Sequence, residues 1–210
     1  MCEAFIHLKT MQKELDFELI LSNVSRHVSL TEEERKCFTN LLKPLTIKGR
    51  KVLLREGEVC RNSTFVLKGC LRGYTVDKNG YEHILGFAPP NWWIADMYSL
   101  LSQKPGQLTI EAVTDTEVLQ LPKSAQLELY NEVPKFERFF RIITENSLVA
   151  HQQRLIDNMS LSAEERYLKF CKVYPDLIFT LPQKQIAAYI GITPEFLSKM
   201  KARMQKRPRL

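Results

Sequence analysis

The feature that most constrains the fold is a change of hydrophobic period near Pro134. Between residues 44 and 122, short apolar runs rich in β-branched and aromatic residues alternate with Gly, Asn, Asp and Pro. Such runs predict closely spaced antiparallel strands, as in a β-roll or sandwich. Beyond Pro134 the apolar residues recur at helical spacing instead. We therefore predict an α+β chain in which an antiparallel β-roll precedes a helical C-terminal region.

Five segments of the first region are each predicted to form one strand. They are residues 51–59, 63–76, 81–90, 108–113 and 117–122. The sequence 77-DKNG-80 is typical of a hairpin turn between two of these strands. Upstream, Thr31 and Glu34 have the S/T-x-x-E spacing of a capping box, which predicts a short helix over residues 30–42.

A segment without glycine follows Pro134 and predicts a helix of roughly 25 residues that ends near Ser160. A helix of this length often pairs with its copy in a dimer, and the alternative is a helix packed on its own β-domain. The residues assigned to this dimer helix are Phe136, Phe139, Phe140, Ile143, Leu148, Leu155 and Ile156. The predicted domains are residues 1–132, 133–160 and 161–210.

Composition narrows the class of protein. At 44% hydrophobic the chain can build a packed core, yet no apolar run approaches the roughly 20 residues that span a bilayer. Charges interrupt the N-terminus before a signal-peptide core could form, so we expect a cytoplasmic protein without a membrane partner. The five cysteines are scattered without a C-x-x-C pair, which indicates free thiols and no metal site. They are Cys2, Cys37, Cys60, Cys70 and Cys171.

The excess positive charge is confined to the C-terminus. The chain has 30 basic and 24 acidic residues, and six basic residues but no acidic residue lie within 199–210. The remaining 24 basic residues match the acidic ones, so the net charge of +6 belongs to this end. A neutral body with a basic tip favours an anionic polymer as partner, although a solvated tail would have the same composition.

Residues 183–204, just before this basic end, predict two short helices joined by a sharp bend. Ser162 and Glu165 form a second capping box upstream, and Pro175 ends that preceding helix. Gly191 can adopt the left-handed conformation that the bend requires, and Thr193 followed by Pro194 is a typical helix start. The residues assigned to the core of this helix-turn-helix are Ile186, Ala187, Ile190, Gly191, Ile192, Leu197 and Met200.

The outward face of the second helix is polar and basic, apart from one acid. In a helix-turn-helix this helix enters the major groove of DNA and reads base edges, while flanking cations bind phosphates. We therefore predict that double-stranded DNA is the partner. The candidate DNA contacts are Thr193, Glu195, Ser198, Lys199, Lys201, Arg203 and Lys206.

These motifs resemble the Crp/Fnr superfamily of bacterial transcription regulators. Residues 180–204 are similar to its C-terminal helix-turn-helix, and residues 48–121 are similar to its cyclic-nucleotide-binding-type β-roll. The resemblance implies a homodimer with a β-roll sensor (a cyclic-nucleotide-binding-like jelly roll), a long dimerisation helix and a winged helix-turn-helix. It also makes RNA polymerase a further candidate partner.

The effector cassette departs from the cyclic-AMP-binding members. Those members resemble one another in a Gly-Glu pair for the ribose and an Arg-Ser pair for the cyclic phosphate. The matching positions here hold Ala95 and Asp96, then Gly106 and Gln107. Burying a phosphate without a cation is costly, so we expect no useful affinity for cyclic AMP. The cassette is rich in large apolar side chains, which suits an apolar effector or a pocket filled by the protein itself; we favour the filled pocket. The pocket residues are Phe87, Ala95, Asp96, Met97, Gly106 and Gln107.

The cofactor-binding branches of the superfamily offer no clear match. The N-terminal cysteine cluster of its oxygen-sensing branch is missing, because Cys37 is the first cysteine after Cys2. A haem-binding histidine stays open as an alternative, but no histidine has supporting context, and we predict no cofactor. The histidines are His7, His27, His83 and His151.

The recognition helix also differs from that of the cyclic-AMP-dependent branch. Glu195 stands where that branch reads a cytosine amino group, and Lys199 replaces an arginine. Pro194 occupies the position of a base-reading arginine, so one guanine contact is expected to be absent. We therefore expect the preferred DNA sequence to differ from that of the cyclic-AMP-dependent branch.

Two other classes of function compete with a DNA-binding regulator. An enzyme is not indicated, because the sequence has no Ser/His/Asp or Cys/His arrangement, phosphate-binding glycine loop or metal-ligand cluster. The second alternative is a cyclic-nucleotide-binding-like regulatory module that docks a protein partner through the helix pair. The sequence does not distinguish an activator from a repressor, nor does it give the effector or the target DNA.

Overall fold

The computed structural model describes residues 17–206, with the side chain of Lys206 outside the description. The predictions made for Cys2 and His7, and the last four residues of the basic end, also lie outside it. Helices α1 (Glu18–Ser25) and α2 (Glu32–Asn40) come first. The predicted capping box is confirmed at α2, where the Thr31 N–H donates to Glu34 Oε2 at 2.8 Å and the Glu34 N–H donates to Thr31 Oγ1 at 3.3 Å.

Antiparallel strands then form two four-stranded sheets. The strands are β1 (Lys43–Ile47), β2 (Val52–Leu54), β3 (Asn62–Lys68), β4 (Leu71–Val76), β5 (Glu82–Ala88), β6 (Trp93–Ile94), β7 (Thr109–Ala112) and β8 (Thr116–Pro122). Their orders are β1-β8-β3-β6 in one sheet and β2-β7-β4-β5 in the other. Because β3 and β4 follow one another but lie in different sheets, the chain winds around the two layers as a roll. The predicted β-roll and the α+β fold class are confirmed.

The expectation of one strand over residues 63–76 was wrong. The chain changes sheets at Gly69, which has φ of +84° and would place a Cβ only 2.4 Å from the Asp115 carbonyl oxygen. A residue with a side chain does not fit there, so the close approach of Asp115 fixes the break between β3 and β4. Strands β1 and β6 were not predicted, because β1 is mostly exposed and β6 has only two residues.

The predicted hairpin at residues 77–80 is confirmed between β4 and β5. The Asp77 N–H donates to the Tyr81 carbonyl at 3.0 Å, and Gly80 has φ of +81°. The Asp77 carboxylate also accepts from the N–H groups of Asn79 and Tyr81 at 2.8 and 3.0 Å. This side-chain cap explains why an aspartate begins the turn.

Strand alternation places a core on each face of the β1-β8-β3-β6 sheet. Val66 and Val118 face the second sheet, where they pack with Leu71 and Ile110. Their neighbours in sequence face the opposite way, toward the helices. That second core comprises Phe65, Leu119 and Leu121 from the strands with Ile20, Val24 and Phe38 from α1 and α2.

Three further helices cover the roll: α3 (Met97–Ser102), α4 (Lys123–Glu132) and α5 (Lys135–Ser160). The long helix is confirmed, but its two halves differ. Phe136, Phe139 and Phe140 are buried against α1, α2 and the sheet, and Ile143 packs on the edge of the same core. The assignment of the three phenylalanines to a dimer contact was therefore wrong, because their surfaces are used within the protomer, whereas that of the half-buried Ile143 stays a prediction. The second half of α5 carries exposed apolar side chains instead.

The C-terminal region consists of α6 (Ala163–Val173), α7 (Leu177–Thr180), α8 (Gln183–Ile190) and α9 (Pro194–Lys206). The second capping box is confirmed, with Ser162 and Glu165 exchanging hydrogen bonds at the start of α6. The implied wing is not found between residues 123 and 206, where every regular element is a helix. Residues 177–181 close one helical turn, because the Leu181 N–H donates to the Leu177 carbonyl at 2.9 Å.

Candidate nucleic-acid interface

The bend between α8 and α9 has the geometry that a helix-turn-helix requires. Gly191 adopts the left-handed conformation, with φ of +74° and ψ of 41°, and its N–H donates to the Ala187 carbonyl. The Ile192 N–H donates to the same carbonyl at 3.0 Å. These two bonds give the Ala187 carbonyl, in the last turn of α8, its hydrogen-bond donors. The chain changes direction at Gly191.

The start of α9 is fixed by Thr193. Its hydroxyl accepts from the Phe196 N–H at 3.2 Å, and its carbonyl accepts from the Leu197 N–H at 3.0 Å. Pro194 is the first residue of the helix, where a missing N–H costs no hydrogen bond. The direction of α9 therefore follows from the threonine cap and the glycine bend together.

The apolar residues predicted for the helix-turn-helix core come together between α6, α8 and α9. Five of them are buried, and Ile192 packs on them from a half-buried position. The buried five are Ile186, Ala187, Ile190, Leu197 and Met200. Arg166 of α6 fixes the end of α8, because its Nε donates to the Ile190 carbonyl at 2.9 Å. The two helices are thus held as one unit.

The opposite side of α9 is exposed and faces away from this core. Thr193, Glu195, Ser198, Lys199 and Arg203 are all exposed, as predicted for the outward face. From Glu195 to Arg203 they extend over about two turns of the helix. The exposed side chains include two cations, one carboxylate and two hydroxyl groups, which are the groups that contact phosphates and base edges.

Two predicted DNA contacts differ in position from the rest. Lys201 is half-buried on the flank of α9, where its Nζ donates to Gln183 Oε1 at 3.4 Å and lies 5.7 Å from the centre of the Tyr167 ring. It belongs to the contact between α9 and the neighbouring helices rather than to the outward face. Lys206 is the last residue of α9, and its side chain lies outside the description.

Glu195 is an exposed acid at the positive end of α9. Its own backbone N–H, the Thr193 hydroxyl and the charge of Lys199 lower the pKa of its carboxyl group. The side chain is therefore ionised at neutral pH and can only accept hydrogen bonds. That property suits a donor such as the cytosine amino group.

The helix-turn-helix packs directly on the second sheet of the roll. Phe87 of β5 is buried among aromatic rings of the C-terminal helices, at centroid distances of 6.2 Å from Phe170, 5.8 Å from Tyr174 and 5.7 Å from Tyr189. Its assignment to an effector pocket was wrong, because the ring points out of the roll and into this contact. One continuous core thus connects β5 with α6 and α8.

Two residues at this end of the molecule were not singled out from the sequence. Phe196 lies on the edge of the outward face, and its spacing of three and seven residues from Lys199 and Arg203 could have located it. Arg154 of α5 contacts both β5 and α8. No local pattern signals its role, because its partners lie 35 and 70 residues away in sequence.

The cassette is organised around the carboxyl group of Asp96, which is buried. One oxygen accepts from the Ser99 N–H at 3.0 Å, and the other accepts from the N–H groups of Gln107 and Leu108 at 2.8 and 3.0 Å. A Cβ at Gly106 would lie 2.5 Å from Asp96 Oδ2. The Asp96 carboxyl group therefore occupies the two backbone N–H groups that follow Gly106.

The remaining pocket predictions are only partly met. Ala95 is half-buried, whereas Met97 and Gln107 are exposed. The large aromatic groups do not fill the cassette as expected, because Trp92 stacks near Tyr174 and Trp93 packs on Phe139 and Phe140. They stabilise the contacts between the roll and the helices.

A cavity of about 410 Å³ opens beside the cassette, between β2, β3, β7 and β8. It is lined by the apolar Leu53, Leu54 and Ile110 and by the charged Glu58 and Arg61. None of the predicted pocket residues lines it. The cavity nevertheless adjoins the cassette, because the backbone carbonyl of its lining residue Glu58 accepts from the Gly106 N–H at 2.9 Å.

Neither a metal centre nor a membrane span is found in the described part of the chain. Within residues 17–206, no three histidine, cysteine, aspartate or glutamate side chains come together in a way that could hold a metal ion. Over the same residues, no helix combines the length and the apolar character needed to cross a bilayer.

Comparison with known proteins extends these observations. Residues 44–133 match the cyclic nucleotide-binding domain family. An anaerobic regulatory protein of Haemophilus influenzae is 22% identical over 190 residues, covering 85% of this chain and 73% of its own length. The transcriptional activator protein FnrA of Stutzerimonas stutzeri is 24% identical over 198 residues, covering 89% of this chain and 80% of its own length.

A solved structure of another protein has a similar fold. The crystal structure of a regulator assigned to the Crp/Fnr family, from Eubacterium rectale, superposes with a TM-score of 0.66 at 17% identity and covers 84% of each chain. The match extends beyond the roll, so the two proteins share the fold over most of their length. Residues 44–133 thus carry a cyclic nucleotide-binding domain, and the sequence relatives together with this fold indicate a DNA-binding transcriptional regulator that is similar to the Crp/Fnr proteins.

Proposed function

We propose that the protein acts as a homodimer that binds a two-fold symmetric DNA site, with α9 of each protomer in a major groove. The exposed face of α9 carries this proposal, because it presents Glu195, Ser198 and Lys199 on a rigid helix start. The two recognition helices would enter successive major grooves about 34 Å apart on one side of the duplex.

The dimer surface in this proposal is the second half of α5. Leu148, Leu155 and Met159 are 67%, 61% and 81% exposed and follow one another at intervals of seven and four residues. Val149 and Ile156, also seven apart, flank them. This spacing is that of the apolar seam between two paired helices, and pairing would remove a contiguous apolar surface from water.

We further propose that cyclic AMP is not the effector. The backbone donors next to Gly106 are occupied by the Asp96 carboxyl group. Lys104 is exposed on the same loop, and its described contacts with the site are made by its backbone, so its ammonium group is not placed to neutralise a phosphate buried beside Asp96. DNA binding would then require no cyclic nucleotide.

The remaining parts of the chain have supporting roles in this proposal. Residues 1–132 form the sensor-like body, 133–160 the dimer helix and 161–210 the DNA-binding region. We place the protein in the cytoplasm, where its DNA target lies, and we assign it no enzyme activity and no cofactor. RNA polymerase remains a candidate partner, since a regulator bound beside a promoter lies next to it.

The experiment that tests the proposal is selection of binding sites from random duplex DNA by the purified protein. Fluorescence anisotropy at several salt concentrations would then measure affinity for the recovered and scrambled sites, with and without cyclic AMP. We expect a two-fold symmetric site, strong salt dependence and no effect of cyclic AMP.

A matched pair of charge reversals separates specific recognition from general electrostatics. Lys199→Glu should abolish binding to the recovered site. Lys104→Glu makes the same charge reversal on an exposed loop of the roll and should change affinity little. Weak binding that ignores sequence and responds equally to both variants would contradict the proposal. It would favour a module that docks a protein partner through the helix pair.

A further inference from the structure

Phe196 is an apolar side chain on the DNA-facing side of α9. It is 46% exposed, although the surrounding outward residues are polar or charged. It is not part of the buried cluster that holds the helix-turn-helix together. Only its backbone N–H has a structural role, as a donor to the Thr193 hydroxyl, and any residue except proline supplies that group.

Helical geometry places the ring beside the basic residues of the same helix. Residues three and seven positions apart lie on one side of an α-helix, so Phe196 shares a flank with Lys199 and Arg203. The Arg203 guanidinium lies 6.0 Å from the centre of the Phe196 ring. Phe196 also lies one turn before the buried Met200, so its ring is at the boundary between the exposed face of α9 and the buried stripe of Leu197 and Met200. The ring therefore belongs to the surface that the cations would bring against DNA.

The major groove offers one apolar group to such a ring, the C5-methyl group of thymine. Hydrogen-bond donors and acceptors of the other base edges are served by Glu195, Ser198 and Lys199 on the same helix. A phenyl ring among them cannot form hydrogen bonds with base edges or ion pairs with phosphates. It can exclude water from a methyl group, which is favourable in proportion to the apolar area covered.

We propose that Phe196 selects thymine by packing its ring on the C5-methyl group, at a base pair adjacent to the one that Glu195 reads. The inference rests on the proposed function, because it requires α9 to lie in the major groove. It makes Phe196 a specificity-determining residue. Sequence preference at that position would come from apolar contact rather than from hydrogen bonding.

The test removes the methyl group and nothing else. In the selected site, each thymine is replaced in turn by deoxyuridine, in both half-sites, and affinity is measured by anisotropy. For the unchanged protein, one symmetric position should lose affinity by about threefold to tenfold, the effect expected for uncovering one or two methyl groups. For Phe196→Ala, thymine and deoxyuridine should bind equally well at that position.

Phe179→Ala is the matched control. Phe179 lies on α7 and is 85% exposed, so its removal takes the same apolar group from the same region but not from the recognition helix. This variant should keep the full difference between thymine and deoxyuridine. Circular dichroism of both variants would establish that they fold.

The possible results distinguish failure of the role proposed for Phe196 from failure of the proposed function. A protein that selects a symmetric site but tolerates deoxyuridine at every position would overturn the role of Phe196 and leave the proposed function intact. The same holds if Phe196→Ala retains the difference between the two bases. A protein that selects no sequence at all would overturn both.

Discussion

The Arg154 guanidinium lies 4.0 Å from the centre of the Tyr189 ring and donates to the Tyr189 backbone carbonyl at 2.9 Å. The same guanidinium donates to the carbonyl of Ile84 at 2.6 Å and to that of Leu85. A single side chain of the long helix α5 thus joins strand β5 of the roll to helix α8 of the helix-turn-helix. The planar fork of an arginine can serve several carbonyls at once, which the single ammonium of lysine does less well.

We expect Arg154→Lys to lower the free energy of unfolding by about 2–3 kcal/mol, because one lysine ammonium cannot replace the hydrogen bonds that the guanidinium donates to the carbonyls of Ile84, Leu85 and Tyr189. Urea unfolding followed by circular dichroism measures this change. Amide hydrogen exchange should in addition rise in α8 and β5, where the connection is lost, before it rises in the core beneath α1.

The control for this prediction is Arg141→Lys on the same helix. Arg141 forms an exposed pair with Glu145 at 2.8 Å, and a pair of this kind contributes little to stability. The expected change is less than about 0.5 kcal/mol. If Arg154→Lys changed stability as little as the control does, the contacts of Arg154 with β5 and α8 would make no measurable contribution to the free energy of unfolding.

Features encoded by neighbouring residues were predictable from the sequence. The capping boxes at Thr31 and Ser162, the turn at Asp77 and the bend at Gly191 each depend on contacts within five residues. Local hydrogen bonds determine such structures, so a short sequence pattern is enough to locate them. The helix-turn-helix could therefore be described in some detail before its structure was known.

Features that depend on distant residues were not predictable in the same way. The break at Gly69 is set by Asp115, and the position of Phe87 is set by rings about 80 to 100 residues later in the chain. Nothing in the local sequence distinguishes an aromatic side chain that fills a pocket from one that packs on another domain. The split of α5 into a buried and an exposed half has the same origin, because its first half is covered by α1 and α2.

The exposed seam of α5 leads to a prediction about assembly. Leu155→Glu places a charge in the centre of the proposed helix pair, and a charge buried without a partner strongly opposes association. We expect the variant to be a folded monomer with DNA affinity reduced at least 100-fold, because two half-sites can no longer be bound together. Sedimentation velocity measures the oligomeric state.

Leu101→Glu is the corresponding control for assembly. Leu101 is 63% exposed, close to the value for Leu155, but it belongs to α3 and not to α5. It should leave both the dimer and the DNA affinity unchanged. A monomeric form of the unchanged protein, or a dimer that survives Leu155→Glu, would contradict the proposed surface.

Gly106 provides a test of the cassette. In Gly106→Ala the new methyl group would lie 2.5 Å from Asp96 Oδ2, and the carboxyl group cannot move away without losing its hydrogen bonds to Gln107 and Leu108. We expect a loss of about 1–3 kcal/mol in the free energy of unfolding, measured by urea titration. Gly86→Ala, which meets no atom within 4 Å, should be neutral or slightly stabilising.

Glu195 and Arg203 should affect DNA binding in different ways. The Glu195 carboxyl group is ionised at neutral pH, with its pKa lowered below the ordinary value, and as an acceptor it can distinguish one base pair. Glu195→Ala should therefore weaken discrimination at that pair by about tenfold to a hundredfold, with little change on scrambled DNA. Arg203→Ala should weaken binding to every sequence alike and reduce the slope of affinity against salt by about one. Anisotropy titrations of both variants on selected and scrambled sites decide the matter, and equal losses on the two sites for Glu195→Ala would refute its base-reading role.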